Sequence, residues 1–168
     1  MTQLLHHEII EHPTCKIIGR AKRVKPLSPE IKQLWEDSFK ENLFEANLQP
    51  EYFLPSLRPD TIGAMYDFDD NGEFTYIVGT FLSVDAPNNG YDEVIFPAGK
   101  AIITWVSGSE REVYGNAHEL TETKLKDLGY QPNYQNICGI EIYTMERFMK
   151  EQEKGEGKII LDYLIPLK

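Results

Sequence analysis

The chain has 168 residues, of which 41% are hydrophobic and 26% are charged, a length and composition typical of one globular domain with an apolar core. It has 27 acidic residues against 17 basic ones, and this net charge of −10 argues against direct binding to nucleic-acid phosphates or anionic membranes. No apolar run approaches the ~20 residues of a membrane span, and the N-terminal residues lack the pattern of a signal peptide.

The first half of the chain contains two strand-like regions on either side of a helix. Residues 8–24 alternate between apolar and polar side chains around Pro13, which predicts a bent or interrupted first strand. Ser28 and Pro29 are suited to the N-cap and the first position of a helix. Apolar residues at helical spacing then predict a stripe that faces the core, formed by Ile31, Leu34, Trp35, Phe39 and Leu43.

A hairpin and a second set of elements follow. Two strand patterns flank Asn71-Gly72, a dipeptide that favours the positive φ angles of a tight hairpin turn. Two further strand patterns lie on either side of Pro97-Ala98-Gly99. Ser109 and Glu112 have the spacing of a capping box and predict the start of a second helix. The last two strands are predicted within ICGIEIYTM and IILDYLIPL, with a polar connection between them.

The order strand–helix–strand–strand therefore occurs twice, over residues 8–85 and 92–167. Two such units, each with one amphipathic helix on antiparallel strands, predict an α+β fold with pseudo-two-fold symmetry. No stretch of linker composition separates the halves, so we expect one domain over residues 1–168.

Several residue types that often carry chemistry lack the neighbours that chemistry requires. Cys15 and Cys138 are too few for a disulfide framework, so we expect a cytoplasmic protein in which both are small core residues. His6, His7 and His12 lie near the N-terminus, where we expect a solvated, fraying segment. Because zinc-ligand spacing, a phosphate-binding glycine loop and a nucleophile elbow are all missing, we predict neither a metal nor a cofactor.

The strand Ile137–Thr144 contains a single carboxylate, Glu141. Regular alternation places Ile137, Gly139 and Tyr143 on the face of Glu141, and Cys138 on the opposite face. Two interpretations are open: Glu141 lies on a solvated outer face, or it is an acid inside a cavity.

Other strands favour a cavity. FTYIVGTFLSV is apolar on both faces, so its sheet must be covered twice, and we expect the sheet to curve over itself and leave a pocket. Nine Tyr, eight Phe and two Trp are available to line such a pocket. Aromatic walls around one carboxylate suit a flat, apolar cation, because the ring faces and the acid both attract positive charge.

Five segments in a fixed order resemble the GyrI-like family, which is the effector-binding domain also found in AraC-type and multidrug-responsive transcription regulators. They are FTYIVGTFLSV, IFPAGKAIITWVSGS, LGYQPN, IEIYT and LDYLIP, and the resemblance extends from about Ile9 to Leu167. It implies a duplicated strand–helix–strand–strand fold with a ligand pocket between the halves. It places Glu141 at the pocket floor beside Tyr143, and it implies further ligand-binding aromatic residues, namely Tyr76, Trp105, Tyr66, Trp35 and Phe39.

The resemblance implies a small-molecule-binding protein that sequesters a lipophilic, aromatic or cationic compound or reports it to an unidentified protein partner. Because no helix-turn-helix segment is visible, we expect the domain to act alone. Two alternatives stay open. One is a hydrolase, in which Glu141 would activate water and Tyr143 would stabilise developing charge. The other is a protein-interaction module, like the gyrase inhibitor after which the family is named.

Overall fold

The computed structural model describes the whole chain, residues 1–168, as one antiparallel sheet of eight strands with helices packed against it. The strands are β1 (Gln3–His12), β2 (Cys15–Val24), β3 (Thr61–Tyr66), β4 (Phe74–Ser83), β5 (Asp92–Phe96), β6 (Gly99–Ser109), β7 (Ile137–Tyr143) and β8 (Lys158–Pro166). The helices are α1 (Pro29–Lys40), α2 (Leu43–Ala46), α3 (Glu110–Asp127) and α4 (Lys150–Glu153), with a 3-10 turn at Pro50–Tyr52 and a π-helical turn at Met145–Met149. The predicted α+β fold with two main helices is confirmed. None of the helices combines the length and apolar content that crossing a bilayer requires.

The sheet order shows an internal symmetry. The strands lie in the order β1-β6-β8-β7-β3-β4-β2-β5, and exchanging β1–β4 with β5–β8 gives the same order reversed. The central strands β3 and β7 therefore lie on either side of a pseudo-two-fold axis. Ala64 pairs with Ile140 at this axis, and the pairs Gly63–Glu141 and Met65–Gly139 flank it. The predicted strand–helix–strand–strand order corresponds to β2-α1-β3-β4 and to β6-α3-β7-β8.

The sequence predicts one bent or interrupted strand over residues 8–24, whereas the structure forms two strands that pair at different places in the sheet. The break at Pro13 separates two strands, of which β1 pairs with β6 while β2 pairs with β4 and β5. Proline has no N–H to donate to a sheet ladder, so the chain leaves one sheet edge here and joins the sheet elsewhere. The predicted fraying of this segment is also wrong, because His12 is buried and its ring stacks on Phe96 at 4.2 Å between centroids.

Both long helices begin where the sequence predicts. The Ser28 side chain accepts a hydrogen bond from the Glu30 backbone N–H at 3.2 Å, and Pro29 is the first residue of α1. Ser109 and Glu112 form the capping box of α3. The helix α1 packs on β2 and β4, and α3 packs on β6 and β8, so the central strands lie between the two helices.

The opposite face of the sheet carries the largest apolar cluster. It includes Ile17, Ile62, Phe81, Ile103 and Ile140, and every strand from β2 to β8 contributes to it. The two sheet edges approach each other on this side, as the stacking of His12 on Phe96 shows. The sheet therefore curves over itself, as expected, and this concave face is filled with core side chains.

The β3–β4 hairpin forms as predicted, with a longer loop than a two-residue turn. The loop spans Asp67–Glu73, and Gly72 has a positive φ whereas Asn71 does not. The Asp69 carboxylate accepts hydrogen bonds from the backbone N–H groups of Asn71 and Glu73 and pairs with Arg23 at 3.1 Å. The Asp69 contacts and the longer loop reverse the direction of the chain, so Asn71 does not have to adopt a left-handed conformation.

Candidate functional site

A cavity of about 650 Å³ opens on the face of the sheet that carries the helices. Met65, Asp67 and Phe68 line it from the first half of the chain. Residues of β7, β8 and α3 line it from the second half, among them Tyr114, His118, Cys138, Glu141 and Tyr163. The cavity is on the convex helix face, whereas the sheet curvature anticipated from the sequence encloses apolar core on the other face.

Glu141 lies at the floor of this cavity. Its Oε1 accepts a hydrogen bond from the Tyr76 hydroxyl at 2.6 Å and a longer one from the Tyr143 hydroxyl at 3.4 Å. Its Oε2 makes no hydrogen bond within the chain, and no Lys or Arg neutralises the carboxylate. Burial raises the pKa of Glu141 to about 7, although the two tyrosine hydroxyls act in the opposite direction.

The Tyr76 hydroxyl is fixed between two partners. The indole Nε1 of Trp35 donates to its oxygen at 3.1 Å, and its own proton goes to Glu141. Gly63 provides the room, because a Cβ at this position would overlap the Tyr76 hydroxyl. Burial, followed by the charge of Glu141, raises the pKa of Tyr76 well above its ordinary value, so the hydroxyl stays protonated and donates.

A second polar chain runs along the α3 wall. His118 Nδ1 lies 2.8 Å from the Tyr163 hydroxyl, and His118 Nε2 lies 2.8 Å from the Tyr134 hydroxyl. The Tyr134 hydroxyl in turn donates to Glu122. Burial lowers the pKa of His118 below its ordinary value, although Glu122 acts in the opposite direction, so the ring is neutral at pH 7.

The structure groups some of the sequence-predicted site residues around Glu141 and places the others elsewhere. Tyr76 and Tyr143 contact Glu141, and Trp35 contacts both tyrosines, meeting the Tyr143 ring edge-on at 5.0 Å. All three lie behind Glu141 and are not among the residues that line the cavity. Phe39 is 58% exposed and stacks on Trp35 at the surface of α1, because the neighbouring Ser38 occupies the buried position of this turn.

Trp105 and Tyr66 lie on the other face of the sheet. Thr104 and Val106 point towards α3, so strand alternation turns Trp105 away from the cavity. There the Arg147 guanidinium lies 4.2 Å above its ring. Tyr66 packs against the concave core cluster, because it follows Met65, which faces the cavity.

A β-bulge changes the face assignment at the start of β7. Met65 pairs with Gly139 but Tyr66 pairs with Ile137, so one extra residue is accommodated between them. Consequently Ile137 belongs to the concave core and Cys138 lines the cavity, the reverse of regular alternation. The prediction of a core residue holds for Cys15, which is fully buried, and is wrong for Cys138.

Sequence reasoning missed the α3 wall of the cavity. Tyr114 and His118 are four residues apart and therefore share one helix face. Their spacing is a usable signal for one shared face, although the fully buried positions of this part of α3 are the neighbouring Val113 and Ala117. Tyr163 was not detectable, because its position over Gly139 depends on the pairing of the sheet.

Comparisons with known proteins identify the family and the fold of this chain. The model of the family described as "GyrI-like small molecule binding domain" matches residues 6–168. Among curated protein sequences, none matches the chain.

Solved structures share the fold at low identity. SAV2435 bound to tetraphenylphosphonium is 14% identical, with a TM-score of 0.68 over 98% of this chain and 94% of that one. The EcmrR C-terminal domain is 15% identical, with a TM-score of 0.63 over 97% of each chain. A hydrolase encoded by lin2189 from Listeria innocua is 11% identical, with a TM-score of 0.53 over 96% of this chain and 91% of that one. Since the family model covers nearly the whole chain, this protein belongs to the GyrI-like small-molecule-binding domains.

Proposed function

We propose that the chain binds lipophilic aromatic cations in the cavity, with Glu141 as the counter-charge, and so acts as one cytoplasmic sequestering or effector-binding domain. The observation that carries this proposal is the Glu141 carboxylate, which lies at the floor of an aromatic cavity with Oε2 unpaired. A bound cation supplies the positive charge that no Lys or Arg of the chain supplies.

The cavity walls suit an aromatic ligand. Tyr114, Tyr163 and Phe68 offer ring surface, and Met65 adds a flexible apolar side chain. Ring faces attract cations by about 0.5–2 kcal/mol each, more strongly where water is excluded. The net charge of −10 favours the approach of a cation from solution. The structure of SAV2435 with tetraphenylphosphonium supports the same ligand class by likeness of fold.

The test is a titration with tetraphenylphosphonium by calorimetry at pH 8, where Glu141 is ionised. Wild type is expected to bind one equivalent, and Glu141→Gln is expected to bind at least about tenfold more weakly, or ~1.4 kcal/mol, since it keeps the shape but loses the charge. The matched control is Glu119→Gln, which removes the same charge from an exposed position on α3. Equal affinity of wild type and Glu141→Gln contradicts the proposal.

A hydrolase is the second candidate, because the cavity contains a second proton carrier. His118 lines the same cavity as Glu141, and the two could exchange protons with a substrate between them. The Listeria innocua hydrolase shares the fold. Turnover of a reactive ester or epoxide panel that disappears in both Glu141→Gln and His118→Gln favours this activity, and binding without turnover favours the first proposal.

A further inference from the structure

Two buried tyrosines occupy equivalent positions in the two halves of the fold. Tyr76 on β4 and Tyr163 on β8 each place a hydroxyl on the helix face of the sheet, near the pseudo-two-fold axis. Each hydroxyl contacts a ring nitrogen of the helix above it, Trp35 on α1 or His118 on α3. The two ring types differ in what they can donate, and this difference sets the direction of each hydroxyl.

On the α1 side the hydroxyl points towards the carboxylate. An indole N–H can only donate, so Trp35 occupies a lone pair of the Tyr76 oxygen. The Tyr76 proton is then free to go to Glu141 Oε1, where the distance is 2.6 Å. This chain of donors ends on Oε1 and leaves Oε2 without a donor within the chain, on a residue that lines the cavity.

On the α3 side each hydrogen bond is donated in the opposite sense, away from the cavity. The pKa of Glu122 is lowered, mainly by a hydrogen bond from Lys126, so Glu122 is an ionised acceptor. Tyr134 gives its one proton to Glu122, so His118 Nε2 faces only acceptors, the Tyr134 oxygen at 2.8 Å and Glu122 Oε2 at 3.4 Å, and must carry a proton. The Nδ1 atom of the neutral ring is then an acceptor and takes the proton of Tyr163.

The cavity floor therefore presents two acceptors next to each other. With its proton directed to His118, the Tyr163 oxygen offers only lone pairs to the cavity. Glu141 and Tyr163 are paired neighbours on β7 and β8, and both line the cavity. The Tyr163 hydroxyl extends over Gly139, two residues from Glu141 on the same face of β7. No hydrogen bond joins Tyr163 to Glu141 within the chain, so a ligand group with two donors can lie between them.

We propose that the ligand's charged end carries at least two N–H donors, as a primary ammonium or an amidinium does, and that these bridge Glu141 and Tyr163. This inference rests on the proposed cation binding and narrows the class of cation to those with N–H donors. A quaternary cation satisfies the charge of Glu141 but leaves the Tyr163 oxygen desolvated without a donor, which weakens binding.

The test uses two probes of equal charge and the same ring, 1-naphthylmethylammonium and its N,N,N-trimethyl analogue, titrated by naphthalene fluorescence at pH 8. Wild type is expected to bind the ammonium at least about tenfold more tightly, because only the ammonium can donate hydrogen bonds to both acceptors. Tyr163→Phe is expected to remove most of this preference, because it takes an acceptor from the ammonium and relieves the trimethyl compound of a desolvated oxygen.

Tyr76→Phe is the matched control, since it makes the same chemical change at the equivalent tyrosine of the other half. It removes the hydrogen bond that Tyr76 donates to Glu141, and it is expected to change the affinity for both probes by the same factor. The inference is overturned if wild type prefers the trimethyl compound, or if Tyr163→Phe affects both probes equally. If neither probe binds while tetraphenylphosphonium does, this inference fails and the proposed function stands. If tetraphenylphosphonium also fails to bind, both fail.

Discussion

Gly63 and Glu141 are paired across the two central strands, and the missing side chain of one makes room for the environment of the other. A Cβ at Gly63 would lie 3.2 Å from Glu141 Oε1 and would overlap the Tyr76 hydroxyl. Across the pseudo-two-fold axis, the equivalent of this pair is Gly139 with Met65. One half of the fold thus places a carboxylate where the other places a thioether, and a symmetric scaffold carries one asymmetric charge.

The affinity for a permanently charged cation is expected to rise with pH through the pKa of Glu141, about 7. Below that pH the carboxyl is protonated and lacks the charge that attracts the ligand, so the affinity falls by up to about tenfold per pH unit. Tyr76, Tyr143 and Tyr163 face Glu141 with pKa values well above 10, so they stay neutral in this range. His118, with its pKa lowered below 6.5, adds a repulsive charge only in more acidic solution.

The measurement is a calorimetric titration with tetraphenylphosphonium between pH 6 and 8.5, in buffers of different ionisation enthalpy. At pH 7, binding is expected to release about half a proton, because Glu141 is half protonated there before binding. Glu141→Gln should bind weakly with no pH dependence over this range. An affinity of wild type that is flat from pH 6 to 8.5 rules out Glu141 as the counter-charge.

The sequence predicted features that depend on residues close together in the chain, and it did not predict features that depend on which strands pair. The caps of both helices follow from residue types alone, and Glu141 stood out as the one carboxylate in an apolar strand. The bulge that turns Cys138 into the cavity depends on the register between β3 and β7, which no local pattern encodes. Trp105 and Tyr76 have similar strand contexts in the sequence, and only the sheet order shows that they face opposite sides.

The ligand-free protein is expected to gain stability at high pH when Glu141 is replaced by Gln. Because burial raises the pKa of this carboxyl from 4.5 to about 7, the folded chain holds more protons than the unfolded chain between these values. The free energy of unfolding of wild type therefore falls as the pH rises through this window. Gln keeps the acceptor for Tyr76 without the charge, so the variant should be more stable by about 1–3 kcal/mol at pH 8.

Urea denaturation at pH 5 and pH 8 measures this difference. At pH 5, where Glu141 is mostly neutral, the gap between wild type and Glu141→Gln should nearly close. Glu119→Gln serves as the control, because an exposed carboxylate should give the same small difference at both pH values. A Glu141→Gln variant that is less stable than wild type at pH 8 contradicts the burial of an uncompensated charge.

Adding a methyl group at Gly139 is expected to damage the cavity. Its Cβ would overlap the Tyr163 hydroxyl and lie 3.3 Å from His118 Nδ1, so Gly139→Ala should displace that tyrosine and destabilise the fold by about 1–3 kcal/mol. Removing the hydroxyl as well, in Gly139→Ala with Tyr163→Phe, should recover part of the loss. Gly115→Ala is the control, because that helix position is open and alanine there should stabilise by up to about 1 kcal/mol. Thermal unfolding of wild type and these three variants measures the differences in stability, and an unaffected Gly139→Ala would show that Tyr163 is free to move.

The Trp105 side of the sheet is expected to contribute to stability and not to ligand binding. Arg147 forms a two-pronged ion pair with the buried carboxylate of Asp162, at 2.7 and 2.6 Å, and its guanidinium covers the Trp105 ring. Asp162→Asn removes the nearer counter-charge of Arg147 and leaves only Glu146, at 3.7 Å, so it should destabilise the protein by about 3 kcal/mol, as the loss of one partner of a buried pair does. Trp105→Phe keeps an aromatic surface under Arg147 and should lower the free energy of unfolding by less.

Both variants should bind tetraphenylphosphonium within about twofold of wild type, after correction for the folded fraction, because neither residue lines the cavity. Loss of binding in folded Trp105→Phe would instead place this tryptophan in the ligand site, and its position on the opposite face of the sheet would then require the ligand to bind there.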